Sequence, residues 1–363
     1  MPLATSLLIF FGTYTPAGGA SRGIYTAQLD LATGQLGTPA LAGEAGNPTF
    51  VAWRPDGRTL YALTEKGTVN GKPGGALAAF SFDAASARLT PLNVEATGGG
   101  PLAHLNVDQS GRVALAISYH ASEVSSFPIL ADGRLGPRAS LITHTGPLGP
   151  NAKRQEKPHP HSLTFSPDNR FVYVCDLGLD RIFRYKFDPA TAMLTLAGET
   201  PAAPGAGPRH SKFSPDGKFF YVINELNCTV TAYAVDAATG TLSTLQSLST
   251  LPADFSGESI CAEIRLSPDG RFVYGSNRGH DSLAVYARDA ATGRLTLVEI
   301  VPSGGKHPRN FNLAPDGRWL LCANRDTDNV VVFRVDPATG RLTPNGSEAK
   351  VPQAVCVLFG PQR

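Results

Sequence analysis

The chain has 363 residues, 42% hydrophobic and 17% charged, with 32 Lys and Arg against 30 Asp and Glu. That is a globular composition, and a net charge of +2 excludes the basic surface a nucleic-acid binder needs. The 38 glycines and 29 prolines point to many short strands and tight turns.

From the N-terminus, residues 7–11 are apolar but lack the basic leader and cleavage pattern of a signal peptide, so they read as a strand. No stretch reaches membrane-spanning length. Two turn phrases then recur along the chain. One starts at Asp30, Asp83, Asp132, Asp188, Asp236, Asp289 and Asp336, most copies reading Asp-x-x-Thr-Gly, with a period of about 51 residues. The other is Pro-Asp-Gly at Asp56, Asp216, Asp269 and Asp316, Pro-Asp-Asn at Asp168, and a degenerate Gln109-Ser110-Gly111. Alternating apolar runs such as Phe219–Asn224 and Thr229–Val235 lie between them and read as strands. No window shows capped helical periodicity.

Each repeat therefore holds four strands, A to D from the inside outwards. Pro-Asp-Gly joins A to B, and the Asp-x-x-Thr-Gly turn joins C to D. Seven such repeats predict an all-β fold, a seven-bladed β-propeller forming a single domain over residues 1–363. The repeats are out of phase at the ends: 354–359 is a lone A strand, and residues 7–14 and 23–29 supply B and C. The last blade is thus expected to be closed by both termini, which removes open edges.

Antiparallel strands segregate the loops by face. The A–B and C–D turns are short, whereas the B–C and D–A connections vary, the long ones being 66–76, 146–158 and 249–260. Alignment on the turn Asp exposes two columns on the variable face. Thr49, His161, Arg209, Ala262 and Arg309 start strand A; Glu65, Leu177, Glu225, Arg278 and Arg325 end strand B, with Tyr119 in the degenerate blade. Seven of the eight histidines fall in or beside these windows, only His144 lying outside. Arg, His and Glu from several blades are expected to converge on one polar mouth.

The five cysteines, Cys175, Cys228, Cys261, Cys322 and Cys356, are odd in number and widely spaced without Cys-x-x-Cys. They argue against a zinc site or disulfide framework, and a reducing cytoplasmic setting is the expectation. No cluster of carboxylates suits a metal, and none is expected.

Several phrases together carry a family resemblance across nearly the whole chain. They are Phe11-Gly12-Thr13-Tyr14-Thr15, Arg154-Gln155 with Pro158-His159-Pro160-His161, Asp176-Leu177-Gly178-Leu179-Asp180, Gly207-Pro208-Arg209-His210, Asn224-Glu225-Leu226, Ser276-Asn277-Arg278-Gly279-His280-Asp281, Pro308-Arg309 and Ala323-Asn324-Arg325. With these the sequence resembles the lactonase family of seven-bladed propellers, which includes cycloisomerase-type 6-phosphogluconolactonases and 3-carboxy-cis,cis-muconate lactonising enzymes. The resemblance implies lactone hydrolysis or formation with no cofactor and no metal, and active-site residues His161, Arg209, Glu225 and Arg278. The chain departs from the family at Ile117-Ser118-Tyr119, where Ala-Asn-Tyr is common, and at Arg325, where Gln is usual.

Lactone opening needs a base for water and positive charge for the developing oxyanion. Either Glu225 or His161 is the base; a glutamate needs burial or an anionic neighbour to bring its pKa near neutrality. Arg209 and Arg278 suit the oxyanion or a substrate anion. Arg154, Gln155, His159, Tyr119, Glu65, His280, His307 and Arg309 are the candidate substrate contacts. Structural readings stand beside these: an Arg209–Glu225 ion pair, Arg278 paired with Glu263 or Asp281, and Asp176 and Asp180 holding backbone donors. The expected ligand is a small anionic lactone, most simply 6-phosphogluconolactone, with no nucleic acid, membrane or obligate protein partner. The alternatives are a carboxymuconate cycloisomerase and a non-catalytic interaction platform, the latter calling for an apolar mouth.

Overall fold

The computed structural model describes residues 6–64, 68–69 and 72–361. Seven four-stranded antiparallel sheets form a closed ring. Six blades are continuous, at 51–96, 102–143, 160–201, 208–249, 260–302 and 308–350, and are called blades 1 to 6. Blade 7 has its inner strand at Ala354–Phe359 and its other three at Ser6–Thr13, Gly23–Asp30 and Ala40–Glu44. The two termini thus share one sheet, Ile9 pairing with Phe359 and Phe11 with Val357. A two-stranded hairpin, Thr68–Val69 with Lys72–Pro73, and a single 3-10 turn, Arg325–Thr327, stand where the sequence suggested only loop.

The repeated turns explain themselves chemically. In the C–D turns the Asp carboxylate accepts backbone N–H groups two and three residues on, as Asp30 does from Ala32 and Thr33, both at 2.8 Å. In the A–B turns the glycine adopts φ near +70°, and Asn169, at φ 60°, takes its place in blade 3. These turns also tie blades together. Tyr61, Tyr173, Tyr221 and Tyr274, on four B strands, donate their hydroxyls to the C–D turn carbonyls of Gly133, Gly240, Gly293 and Gly340 in the next blade. At the seam between blades 6 and 7 the Trp319 indole does the same to Leu31. Apolar residues of neighbouring blades meet in continuous clusters between the sheets. Five polar bridges between blades, four of them buried, fix their relative positions, and this holds the channel mouth in shape.

Candidate active site

Strand A carries a β-bulge at its second residue in blades 2, 3, 4 and 6. The register slips between Leu102 and His104, Pro160 and Ser162, Pro208 and His210, and Pro308 and Asn310. A bulged residue leaves the ladder, so its side chain is re-aimed. In blades 3, 4 and 6 that residue is His161, Arg209 or Arg309, and a proline stands just before it, where no ladder N–H is required. The first column of the sequence alignment thus coincides with a bulge at His161, Arg209 and Arg309, whereas Thr49 precedes its strand.

Glu225 follows the B strand Phe219–Asn224 of blade 4 and is 2% exposed. Its Oε2 accepts from Arg209 Nε at 2.7 Å and lies 2.8 Å from Arg278 Nη2. Its Oε1 accepts from Arg154 Nη2. Three guanidinium groups, from blade 4, blade 5 and the 146–158 loop, therefore meet on one carboxylate. Arg209 also donates to the Ala262 carbonyl and Arg278 to that of Cys261, each at 2.5 Å. Burial opposes ionisation of Glu225, but Arg278, Arg209, His161 and Arg154 together hold its carboxyl well below the usual range. Of the two candidate bases, Glu225 thus has three cations against it, and no anionic group among the described residues raises its pKa. Burial and then Arg278 push the Arg209 guanidinium down to about 9, which leaves it charged at neutral pH. Arg278 is partnered by Glu225 rather than by Glu263 or Asp281.

His161 is 6% exposed, its ring 5.5 Å from that of Tyr119 and 5.2 Å from that of His210. Burial, Arg209 and His210 hold its pKa well below the ordinary histidine value, so it is neutral. Its buried Nδ1 has no hydrogen-bond partner among the described residues. The ring nitrogens of His210 and the Nε2 of His307 are likewise buried without a hydrogen-bond partner among the described residues.

Arg309 differs from Arg209 in its company. Its guanidinium lies over the Tyr14 ring, 5.7 Å from the centroid, and makes no ion pair or hydrogen bond among the described residues. Together with Arg209, His210, Tyr14 and Thr49 it lines a narrow polar recess. Tyr14, although inside a phrase that carried the resemblance, was not singled out as a site residue. It directly follows the B strand of blade 7, where the split repeat has no Pro-Asp-Gly to align on.

The other candidates divide by whether their polar atoms are already used. Gln155 is buried; its amide donates to the Leu177 carbonyl and accepts from the Asn151 N–H, so it clamps the loop that delivers Arg154. His159 stacks on Tyr119 at 4.1 Å, with Nδ1 3.1 Å from the Tyr119 carbonyl and Nε2 2.9 Å from Glu156 Oε1. The polar atoms of Gln155 and His159 are thus already engaged within the protein. Tyr119 borders the Arg154 guanidinium. His280 sits at the rim, held by Ser282 at 2.7 Å and packed on Phe255. His307 leaves its Nε2 buried without a partner among the described residues, and burial, then Arg278 and Arg325, push its pKa down to about 3. Glu65 lies outside the described residues.

Asp176 accepts the His159 and Leu179 N–H groups, and Asp180 those of Gly205 and Gly207. Both hold backbone donors, as the structural reading expected. His144, outside the mouth windows, buttresses Asp176 from behind. Its Nδ1 donates to Asp176 Oδ2 at 2.7 Å and its Nε2 accepts from the Tyr185 hydroxyl at 3.0 Å. Among the described residues no group of three or more His, Cys, Asp or Glu is arranged to hold a metal ion. Among the described residues no helix is long and apolar enough to cross a membrane.

Comparison with known proteins places the chain in a family. The model of the family described as "Lactonase, 7-bladed beta-propeller" matches residues 8–359. A 6-phosphogluconolactonase from Bacillus subtilis is 39% identical over 307 residues, covering 85% of each chain. The solved structure of a candidate 6-phosphogluconolactonase from Bacteroides fragilis superimposes with a TM-score of 0.90 at 34% identity, covering 99% of both chains. That of the periplasmic gluconolactonase of Pseudomonas aeruginosa does so with a TM-score of 0.90 at 32% identity, covering 98% of this chain and 99% of that one. The propeller, its cationic mouth and these relatives together establish that the chain belongs to the seven-bladed β-propeller lactonase family.

Proposed function

We propose that the chain hydrolyses 6-phosphogluconolactone to 6-phosphogluconate at this mouth. The observation that carries the reading is the inequality of the cations: Arg154, Arg209 and Arg278 share Glu225, whereas Arg309 is uncommitted. A free guanidinium fork suits a phosphate. The name of the Bacillus relative supports the phosphorylated substrate, and that of the Pseudomonas relative supports a gluconic lactone as the scaffold.

In this mechanism a water attacks the lactone carbonyl carbon while His161 takes its proton. The carbonyl oxygen becomes an oxyanion facing Arg209 and Arg278, whose unused N–H groups include the buried Arg278 Nε. Collapse breaks the acyl–oxygen bond, and the ring oxygen leaves with the proton from His161. The product is the open hydroxy acid. Glu225 fixes the arginines and keeps their total charge tolerable. A bound phosphate adds negative charge beside Arg209 and Arg309, which lifts His161 towards the range where it accepts a proton. A charged mouth does not suit the interaction-platform reading.

The test is Arg309→Ala assayed on phosphorylated and unphosphorylated gluconolactone. Loss of a charge-assisted contact worth about 1.5–3 kcal/mol raises KM roughly 10–100-fold for the phosphorylated lactone alone. An equal effect on both substrates removes Arg309 from phosphate recognition. Turnover of carboxymuconates but of neither lactone overturns the hydrolase reading. All five cysteines are free and buried, which supports placement in the cytoplasm; cell fractionation decides between that and the periplasm of the Pseudomonas relative.

A further inference from the structure

The channel continues below the mouth, and its lining follows from the pleat of the A strands. Leu105, Leu163, Ile264 and Phe311 point into the blade cores. Their neighbours on either side therefore face the axis. The layer under the mouth holds His104, His210, Glu263 and Asn310, all buried. Two residues further along each strand, near the opposite face, the polar ring is Asn106, Thr164, Lys212, Arg265 and Asn312, with Ala52 and Leu358 completing it.

That far ring contains two cations, on adjacent blades 4 and 5, and no carboxylate. Arg265 has only long contacts, Nε to the Phe311 carbonyl at 3.3 Å and Nη2 to Glu263 Oε2 at 3.4 Å. Glu263 belongs to the layer above, where it also accepts from Asn310 Nδ2 and the Ile264 N–H. Lys212 has no hydrogen bond or ion pair among the described residues, although it is half-buried. Like charges facing each other in a confined, partly dry channel are destabilising unless an anion lies between them. The chain's own nearby carboxylate, Glu263, reaches Arg265 at 3.4 Å from the layer above but forms no ion pair with Lys212.

We propose that the far ring is a second anion site, distinct from the catalytic mouth, which holds a small oxyanion such as inorganic phosphate or sulfate between Lys212 and Arg265. Burial and then Arg265 push the Lys212 ammonium down to about 8, so an empty site sits close to losing its charge, and a bound oxyanion restores it. Occupancy links blades 4 and 5 from the face opposite the chemistry. The site stands whatever the mouth hydrolyses.

The experiment measures thermal unfolding of the whole protein in Hepes, with ionic strength fixed by potassium chloride and inorganic phosphate exchanged in. It compares wild type, Lys212→Met, Arg309→Ala and the double variant. Phosphate at about ten times its Kd raises the wild-type Tm by roughly 2 °C through this site. Lys212→Met loses that increment, and loses the same increment in the Arg309→Ala background, because the two sites are independent. In chloride alone Lys212→Met melts at or above the wild-type temperature, since it deletes an unpartnered charge. Equilibrium dialysis gives one phosphate fewer per chain for Lys212→Met; where that variant fails to fold, Arg265→Gln carries the same comparison. An unchanged phosphate response, an unchanged stoichiometry, or a lower melting temperature in chloride overturns the proposal.

Discussion

Blades 4 and 6 place an arginine at the same point, the bulged second residue of strand A after a proline, yet the two arginines lead different lives. Arg209 is 2% exposed and held by Glu225 and by the Ala262 carbonyl. Arg309 is half-buried and rests on Tyr14. The difference comes from the residue that follows the B strand of the same blade: Glu225 in blade 4, Arg325 in blade 6. A repeat fixes where a side chain is delivered, and the second column decides whether it becomes an anchor or stays open to a ligand.

The strongest way to break the contrast is Glu225→Gln. It leaves Arg209 and Arg278 buried beside a neutral amide, and stranding buried charge costs about 3–5 kcal/mol. Urea denaturation should show that loss, whereas Arg309→Gln should stay within about 0.5 kcal/mol of wild type. A Glu225→Gln protein as stable as wild type would mean that the carboxylate does not hold the cluster together.

Proton uptake gives the next largest effect. His104, His161 and His210 are each held well below the ordinary histidine pKa, chiefly by burial and then by neighbouring cations or rings. Their folded values are depressed, so the unfolded chain binds protons that the native chain refuses. The stability they contribute is present above about pH 6.5 and is lost as pH falls below it, at up to about 1.4 kcal/mol per pH unit for each group. The three together give a slope near 4 kcal/mol per unit around pH 5.5. Urea midpoints between pH 7.5 and 5.5 check this, and His161→Gln should remove about a third of the slope. A flat profile would show that these rings are protonated in the native channel.

The turns and strands were legible because each uses its own local chemistry: an Asp that accepts nearby N–H groups, a position needing positive φ, an alternating apolar run. The mouth was legible as two columns, since spacing from a rigid turn fixes height along the channel. Its wiring was not. The Glu225 partner Arg154 lies 71 residues away in a variable loop, so the third guanidinium on that carboxylate follows from no local pattern. Gln155 and His159 look like ligands as residue types, but their partners include backbone carbonyls that a sequence does not display. Tyr14 escaped because closing the ring with both termini separates the blade 7 B strand from the A strand it would be aligned with.

Tyr14 also supplies the finest test of the comparison. If Arg309 is open to substrate, something other than an ion pair must keep it aimed, and the ring 5.7 Å beneath its guanidinium is the available support. A cation–π contact of this kind is worth about 0.5–1 kcal/mol at a partly exposed site. Tyr14→Leu keeps the apolar bulk but removes the π face, so KM for the phosphorylated lactone should rise about two- to fivefold. The kcat should hold, because among the described residues Tyr14 makes no hydrogen bond or ring contact with His161 or with the three arginines on Glu225. The melting temperature should also hold, as no buried hydrogen bond is broken. If kcat fell instead while KM held, Tyr14 would be acting on the reacting atoms, and Arg309 would not need it for orientation.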